Sequence, residues 1–577
     1  MLLSNIIELF IFLFSLIIVL MLLMGWGYLM ANTMRFHSIN KSLTFIMWLG
    51  FVFVLLFVEL ISIYFPINSN ISLPFVIIGC IGLIFSYYKH LRPSYLYIKS
   101  IIFENTIQFI IIISIIVLWT IKSMGIPHNY DSGLYHFSSI RWLNEYPVTP
   151  GLGNLHTRLA YNQSYFSFLA LLNIYPFWNK GYALGGLVLL TLSFLTIIEA
   201  CLYKYKYGII FILFSFLSLA ESSLSLSSPT PDLPVNIIEI IIFILFFKLN
   251  YFKEKEKESI IIYSSIIFLL SFSLVTIKLS SSMYVFVIII LTIIYSYKTL
   301  LSNFNISLAI FFIFIFIIIT HFIKGFILSG FPLFPSTFAG AWYLDWAVPI
   351  EKARLEVSAI CEWARGYGLH PIEIKKGGWL WFPFWLSSFP KRGVFLFLSS
   401  FILIIINVLA LMFNRKKLFK SINKNILSLY FPLISAVIFW FITAPDLRFI
   451  GPIPIILLAF SLWIFTCQHY IFIDYYFKNN RICIFLKKIH IYFLYSILIV
   501  GTMLTPINIS GWNKIPTVKL TTVVTNSGLK IQVPVSGDQC WNAPIPNAPY
   551  VNPLLKLRSE KKGLMNGFTV INKPTIK

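Results

Sequence analysis

Long apolar runs constrain this chain more than any other feature of its sequence. About 20 apolar residues in an α-helix are needed to cross the roughly 30 Å hydrocarbon core of a bilayer. Of the 577 residues, 58% are hydrophobic and only 11% are charged, and the apolar residues gather in runs of about this length. The runs lie near residues 6–30, 43–65, 72–88, 104–123, 182–203, 208–226, 233–249, 259–275, 280–297, 307–325, 393–413, 426–443, 449–467 and 489–507. The sequence therefore predicts an all-α integral membrane protein with about 14 transmembrane helices.

One further apolar run, at residues 164–178, is too short to be counted with the others. It contains Asn173 and Pro176, and Tyr and Trp residues gather at its end. Aromatic residues of this kind are typical of the membrane–water interface. We therefore expect an amphipathic helix that lies in the interface rather than a span.

The basic residues lie in the short loops between the predicted spans. The net charge is +23. When the N-terminus is placed outside, every short Lys/Arg cluster falls on one side, which the positive-inside rule identifies as the cytoplasm. Counting 164–178 as a span would divide these clusters between the two sides. The distribution of basic residues thus indicates that the partner is a lipid bilayer and not a nucleic acid.

This topology places both the N-terminus and the C-terminal tail outside. It divides the chain into N-terminal transmembrane helices at 1–103, a transmembrane core at 104–507 with outer loops at 124–181 and 326–392, and an outer tail at 508–577. We expect interfacial helices in both loops. The tail is rich in Pro, Gly and β-branched residues, notably at 521–525 and 531–535, and this pattern predicts a small β-hairpin.

The first outer loop brings ionisable groups together directly after a span. It carries Asp131, three imidazoles that include His136 and His156, and the guanidiniums of Arg141 and Arg158. A positioned carboxylate or imidazole can act as a general base, and two arginines can bind a phosphate through paired N–H donors. The loop is either a catalytic segment with Asp131 as its base or a hydrated interfacial segment.

Two very short outer turns each place an aspartate after a proline, at Asp232 and Asp446. Each aspartate either caps the helix that follows or belongs to a site, and Arg448 beside Asp446 favours the second role. Lys278 lies at the outer end of a span with almost no loop to reach into. An ammonium group at that depth either faces a cavity or a partner, which would be an outer Asp or an anionic headgroup, or snorkels to the membrane surface.

The second outer loop combines aromatic and charged residues. It contains Asp345, Arg365 and a Trp-rich stretch that ends at Trp385. Aromatic rings beside charged groups suit sugar recognition, because pyranose C–H faces pack on rings while hydroxyls bind the charges. Trp and Tyr also gather at membrane interfaces for reasons of their own, so both interpretations stay open.

The positions of the cysteines and histidines indicate whether a disulfide or a metal site can form. Of six cysteines, only Cys361 and Cys540 lie outside in this topology. In an oxidising compartment these two thiols either pair as a disulfide that ties the tail to the second loop or stay free. The outer His residues lack metal-ligand spacing, so the sequence predicts no cofactor, and dependence on a divalent metal stays open.

The motifs together resemble a known superfamily. An Asp in the first long outer loop directly after a span resembles the GT-C membrane glycosyltransferases. More closely, the chain is similar to an uncharacterised bacterial family of multi-span membrane proteins. The stretches that carry this similarity lie at residues 131–136, 150–158, 231–234, 332–336, 363–365, 445–449 and 537–544. The GT-C resemblance implies transfer of a sugar from a polyprenyl-phosphate or polyprenyl-pyrophosphate donor, with Asp131 as the base.

The first hypothesis is therefore an inverting glycosyltransferase in a bacterial inner membrane. Its partners would be a polyprenyl-linked glycan donor and a glycan acceptor at the periplasmic face, where it would polymerise or side-branch a surface polysaccharide such as O-antigen. The donor phosphate would be held by Arg141, Arg158, Lys278 and Arg448, and the rest of the substrate by His136, His156, Asp232, Asp345, Arg365 and Asp446. The alternative is a flippase for lipid-linked oligosaccharides, which needs charged groups along a path through the membrane.

Overall fold

Helices make up most of the protein in the computed structural model, which describes residues 2–34, 42–86, 106–173, 180–200, 208–251, 257–337, 344–366, 378–413, 424–477, 499–500 and 514–570. In chain order the helices are α1 Leu2–Thr33, α2 Leu43–Ser62, α3 Ser69–Ser86, α4 Thr106–Ser123, α5 Phe137–Glu145, α6 Leu152–Leu155, α7 Ser164–Leu171, α8 Gly181–Ala200, α9 Ile209–Ser222, α10 Asp232–Tyr251, α11 Lys257–Ile277, α12 Ser282–Ser302, α13 Phe304–Ser329, α14 Ile350–Gly366, α15 Phe382–Ser388, α16 Lys391–Phe413, α17 Tyr430–Thr443, α18 Leu447–Ile450 and α19 Ile453–Phe477. The predicted all-α class is confirmed.

Nine helices within the described ranges are long and apolar enough to cross a membrane. Several of them carry large apolar side chains on exposed faces, for example Phe10 and Phe14 on α1, Phe311 and Phe312 on α13, and Phe395 and Phe401 on α16. Apolar faces of this extent are covered by lipid rather than by water. The chain is therefore a membrane protein.

The other predicted spans are matched less fully. Shorter apolar helices at Ile210–Ser225, Leu427–Thr443 and Ile453–Cys467 lie where three spans were predicted, and α10 lies at a fourth. The predicted span at 489–507 falls largely outside the described residues.

Helix α7 corrects the expectation for the run at 164–178. It has only eight residues, and all of them are buried. It packs between α2 and α8, and Tyr165 and Phe168 are at most 1% exposed. Its eight residues are too few to cross a bilayer, but they do not form the expected amphipathic helix, because all of them are buried. Residues 174–178 of the run lie outside the described residues.

The described part of the tail, residues 514–570, contains four short strands, β1 Leu520–Val524, β2 Lys530–Pro534, β3 Leu555–Leu557 and β4 Phe568–Val570. Strands β1 and β2 form an antiparallel hairpin in which Leu520 pairs with Pro534 and Val524 with Lys530. The predicted hairpin is thus confirmed to within one residue at each end. The second antiparallel pair, β3 with β4, was not predicted.

The segments that were predicted to lie outside meet at one end of the helix bundle. The Ser228 hydroxyl accepts a hydrogen bond from the backbone N–H of His128 at 3.1 Å. The Phe568 N–H in the tail donates to the Pro150 carbonyl in the first loop at 3.0 Å. Grouping these segments on one side was correct, while which side of the membrane they face stays a prediction.

Candidate functional site

A cavity of about 380 Å³ lies at this end of the bundle. Its wall is built from parts of residues 130–136, 158–163, 230–232, 275–280, 334–335, 359–363 and 439–449. The volume is within the usual range for small-molecule sites. Seven of the predicted site residues line it, namely Asp131, His136, Arg158, Asp232, Lys278, Asp446 and Arg448.

Asp131 sits at the start of a π-helical turn, Ser132–His136, and is held between two guanidiniums. Its Oδ1 accepts a hydrogen bond from Arg158 at 3.0 Å, and its Oδ2 accepts one from Arg448 at 2.8 Å. The Asn129 side chain fixes the turn by accepting from the Asp131 N–H at 3.0 Å. Each carboxylate oxygen thus already accepts one charge-assisted hydrogen bond, and a reacting hydroxyl that approaches from the cavity meets a carboxylate flanked by two cations.

Asp232, the first residue of α10, forms the second acidic centre. Its Oδ1 is paired with the Lys278 ammonium, and its Oδ2 lies 3.6 Å from Arg448 Nε. The expectation that Lys278 pairs with an outer Asp is confirmed, and Asp232 is engaged by cations from other segments. Asp446 instead caps α18, because its Oδ1 accepts from the Arg448 N–H at 2.8 Å.

Glu356 on α14, which sequence reasoning missed, does not line the cavity but contacts two residues that do, Arg158 and Tyr161. Its carboxylate lies 3.5 Å from Arg158 Nε, accepts from Thr157 at 2.7 Å and also accepts from the Tyr161 hydroxyl. Nothing in the local sequence distinguishes Glu356 from the other charged residues of its amphipathic helix. Only the packing of α14 near Thr157–Ala160 identifies it.

The charged groups form one chain of alternating sign. The chain is Glu356, Arg158, Asp131, Arg448, Asp232 and Lys278, and each neighbouring pair is an ion pair. Burial opposes the charge on Arg448, but Asp232 and Asp131 raise its pKa above the usual value. Arg158, Arg448 and Lys278 thus face the cavity, and each is paired with a carboxylate from another part of the fold.

Two imidazoles also line the cavity. His136 is 1% exposed, and burial lowers its pKa to about 4, so it is neutral at physiological pH. Its Nδ1 lies 3.3 Å from the Ser132 hydroxyl. His321 lies deeper, where the Asn162 amide donates to its carbonyl at 2.7 Å. In the part of the chain that the structure describes, no group of three His, Cys, Asp or Glu side chains is placed to hold a metal ion.

Aromatic and apolar side chains complete the wall. The Phe449 ring makes cation–π contacts with both neighbouring cations. Lys278 Nζ lies 4.7 Å and the Arg448 guanidinium 5.1 Å from its ring centre. Trp363 and Trp440 line the wall contributed by α14 and α17. Trp363 is 73% exposed, so its ring is available to a ligand or to lipid. The cavity therefore combines a charged end with an aromatic side.

Four other predicted site residues lie away from the cavity and hold the structure together. Arg141 binds Glu145 at 2.6 Å and the carbonyl of Asn542 in the tail at 2.9 Å. Asp345 is paired with Arg558 of the tail at 2.7 Å. Both residues thus fix the tail to a loop away from the cavity, and their roles in phosphate or substrate binding stay predictions.

Arg365 and His156 also lie outside the cavity. Arg365 donates to the Ile442 carbonyl at 3.0 Å and lies over the Trp381 ring at 4.8 Å, so it ties α14 to neighbouring segments. His156 is not among the residues that line the cavity. It ends α6, and burial lowers its pKa to about 3, so it stays neutral.

The two outer cysteines are free thiols in the structure. Cys361 lies on α14, whereas Cys540 is buried in the tail beside Trp541, which contacts the first loop. Burial raises the pKa of Cys540 to about 12. The disulfide considered above is therefore not formed, because the two residues belong to elements that pack on different partners.

The tail docks on the segment that carries Asp131. The Trp541 N–H donates to the Gly133 carbonyl at 2.8 Å, and a Cβ atom on Gly133 would lie 2.7 Å from the Trp541 ring. The Tyr130 hydroxyl donates to Asp538 at 2.6 Å, and this bond together with burial raises the pKa of Tyr130 to about 12. Glycine at 133 is thus required for the close approach of the tail to the site.

We expect Trp541→Ala to release the tail. The Trp541 ring is buried against Gly133 and Phe137, and loss of a buried Trp costs about 3–5 kcal/mol. Limited proteolysis of the detergent-solubilised full chain should then cleave the tail at least tenfold faster than in the wild type. Tyr550→Ala is the control, since Tyr550 is a 69% exposed tail aromatic. Equal cleavage rates in all three proteins would contradict the proposed anchoring role.

Comparison with known proteins identifies the family but no characterised relative. A family model described as a domain of unknown function, DUF8201, matches residues 9–455. Because this match covers more than half of the chain, the protein belongs to that family. Neither the curated proteins nor the solved structures contain a match.

Proposed function

For this member of the DUF8201 family, we propose the function of a membrane-embedded inverting glycosyltransferase. Its donor is a sugar or oligosaccharide on a polyprenyl phosphate or pyrophosphate, and its product builds or modifies a bacterial surface polysaccharide. The observation that carries the proposal is the chain of alternating charges along one cavity, with Arg158, Arg448 and Lys278 as its cations. Three cations around one cavity suit a phosphate or pyrophosphate leaving group.

Because the cations are paired with carboxylates, donor binding can also change the state of the base Asp131. An incoming phosphate competes with Asp131 and Asp232 for the same N–H donors. When Arg448 turns toward the phosphate, Asp131 Oδ2 loses its 2.8 Å partner and is freed to accept a proton. Donor binding therefore prepares the base, because a carboxylate that loses a cationic partner binds a proton more tightly.

The reaction is a direct displacement at the anomeric carbon. The acceptor hydroxyl oxygen forms the new bond to that carbon while the bond to the phosphate oxygen breaks and its electron pair goes to the phosphate. The hydroxyl proton passes to Asp131, and the configuration inverts. Arg158, Arg448 and Lys278 stabilise the charge that grows on the leaving phosphate.

The aromatic side of the cavity suits the rest of the donor. The exposed Trp363 ring offers a face to sugar C–H groups, and Trp440 and Phe449 line the same cavity. We place this end of the bundle at the periplasmic face of a bacterial inner membrane, with about 14 spans and both termini outside, because the Lys/Arg-rich loops then lie in the cytoplasm. The acceptor is a glycan that enters from the aqueous side.

The flippase alternative has one observation in its favour. A buried ion pair joins Lys324 to Glu59 at 2.5 Å, with His321 one helical turn from Lys324 on α13. These are ionisable groups within the membrane, as a transporter requires. However, the space between Glu59 and His321 amounts to only about 10 Å³. The polar groups are instead concentrated at one end of the bundle, which favours an enzyme.

The test compares surface polysaccharide in the native host carrying a deletion, the wild type or Asp131→Asn, with lipid-linked intermediates extracted in parallel. We expect both mutants to lose the same product, either the polymer ladder or a side branch, while the polyprenyl-linked donor accumulates on the periplasmic side. Glu351→Gln is the matched control, since this exposed carboxylate lies on α14 outside the cavity.

The flippase makes a different prediction for the same strains. If Asp131→Asn behaves as wild type while the deletion accumulates carrier-linked units on the cytoplasmic leaflet, the enzyme proposal is wrong. Immunoblots must first establish equal amounts of each variant in the membrane.

A further inference from the structure

The cavity extends from its charged end into a cleft between α14 and α17. Each helix contributes three residues whose spacing of one and three places them on one face of that helix. These cleft residues are Ala359, Ile360 and Trp363 on α14 and Phe439, Trp440 and Thr443 on α17. Arg365 ties the two helices together by donating to the Ile442 carbonyl at 3.0 Å. Both walls of the cleft thus belong to the cavity that contains Asp131 and Arg448.

The side chains of the cleft are mainly apolar. The Trp440 indole N–H donates to the Asp446 carbonyl at 2.7 Å, and the Thr443 hydroxyl donates to the Phe439 carbonyl at 2.7 Å. Apart from the Trp363 indole N–H, the other cleft side chains offer only carbon atoms. A phosphate, a sugar or a nucleotide would gain few hydrogen bonds there, whereas an apolar chain would lose its contact with water. The cleft therefore suits a hydrocarbon chain.

The cleft borders a lipid-facing surface of α17. Ile434, Ile438 and Ile442 form an apolar stripe along this helix and are 39%, 54% and 62% exposed. Exposed apolar side chains on a helix of a membrane protein are covered by lipid. Ile438 and Ile442 directly precede the cleft residues Phe439 and Thr443, so the side of α17 that faces lipid adjoins the side that faces the cleft. A chain in the cleft can therefore continue into the bilayer.

The charged end of the cavity lies beside the cleft. The hydrogen bond from Trp440 to the Asp446 carbonyl ties the cleft to the turn that precedes Arg448. The Phe449 ring then contacts both Arg448 and Lys278. A ligand that fills both parts of the cavity must carry an anionic head and an apolar chain. Because the cavity measures only about 380 Å³, most of a long isoprenoid chain would have to stay in the bilayer.

We propose that the polyprenyl chain of the donor leaves the cavity through the cleft between α14 and α17. Its phosphate binds at Arg448, and its first isoprene units lie along Ala359, Ile360 and Phe439 before the chain enters the bilayer. The identity of this lipid rests on the proposed function, whereas the path of its chain rests on the cleft. A diacyl phospholipid also joins a phosphate to apolar chains, and the test separates it from a polyprenyl lipid.

The test measures binding of radioactive undecaprenyl phosphate to the full chain purified in detergent. We expect saturable binding of about one lipid per chain, which an excess of phosphatidate does not displace. Ala359→Trp and Thr443→Trp should each weaken binding by about tenfold or more, because a new indole would occupy the space of the chain. Val357→Trp is the matched control, since Val357 is exposed on α14 and does not line the cavity. Gel filtration first establishes that each variant is folded.

Each outcome decides the proposal. Binding as tight as in the wild type by both Ala359→Trp and Thr443→Trp would place the chain elsewhere, which would overturn the cleft and leave the proposed function standing. Displacement by phosphatidate would identify a phospholipid as the occupant and would overturn the polyprenyl assignment. Absence of saturable binding in the wild type would instead remove the polyprenyl donor itself, and the proposed function would fail together with the cleft.

Discussion

Replacing Arg448 with glutamine is expected to lower the rate of glycosyl transfer by about 10²- to 10³-fold, the usual loss when a preset donor to developing charge is removed. Arg448 is the central cation, since it reaches Asp131 at 2.8 Å and Asp232 at 3.6 Å. Its loss leaves both carboxylates near the leaving phosphate with one fewer counter-charge. The measurement is transfer from the accumulated lipid-linked donor in isolated membranes.

Two further variants separate this role from a general effect of charge. Arg448→Lys keeps the charge but has a single ammonium that cannot reach both carboxylates, so we expect a rate between those of wild type and Arg448→Gln. Arg392→Gln serves as the control, because Arg392 is paired with Glu221 and its side chain is 55% exposed. Transfer by Arg448→Gln within threefold of the wild type would remove Arg448 from the mechanism.

Lys324→Met should destabilise the folded protein by about 3–5 kcal/mol, because it leaves a buried carboxylate without its counter-charge. Lys324 Nζ lies 2.5 Å from Glu59 Oε1 and donates to the Ser167 hydroxyl at 2.8 Å. The two charged side chains are only 3% and 6% exposed. Thermal unfolding in detergent should therefore show a markedly lower Tm than the wild type.

The double variant Glu59→Gln with Lys324→Met tests the cause of that loss. It removes both charges, so it should recover most of the stability that the single variant loses. Lys298→Met is the control, since Lys298 is exposed at the end of α12. If the double variant is as unstable as Lys324→Met alone, the uncompensated charge is not the reason for the loss.

Local sequence was sufficient for those parts of the fold that depend on about twenty consecutive residues. Hydropathy located the long helices, because crossing a bilayer requires both a minimum length and an apolar composition. The β-branched residues at 521–525 and 531–535 located the hairpin. The alternation of spans and the charges of the loops also predicted which segments lie together on one side. The expectation that Lys278 pairs with an aspartate among these segments was correct.

The sequence could name most members of the site but not their partners. Asp131 and Arg448 are 317 residues apart, and their contact depends on how the first outer loop packs against the turn before α18. The same kind of packing brought Glu356 into contact with Arg158 and placed Arg141, Asp345 and Arg365, which look equally suitable in the sequence, away from the cavity.

By itself, then, the sequence determined that the chain is a helical membrane protein whose outer segments carry acidic and basic groups, since hydropathy and charge are local properties. Only the tertiary structure decided that α7 is buried, that the tail docks on Gly133, and that Arg448 bridges Asp131 and Asp232. These contacts join residues far apart in the chain. They depend on which helices pack together, and hydropathy along the chain carries no information about that choice.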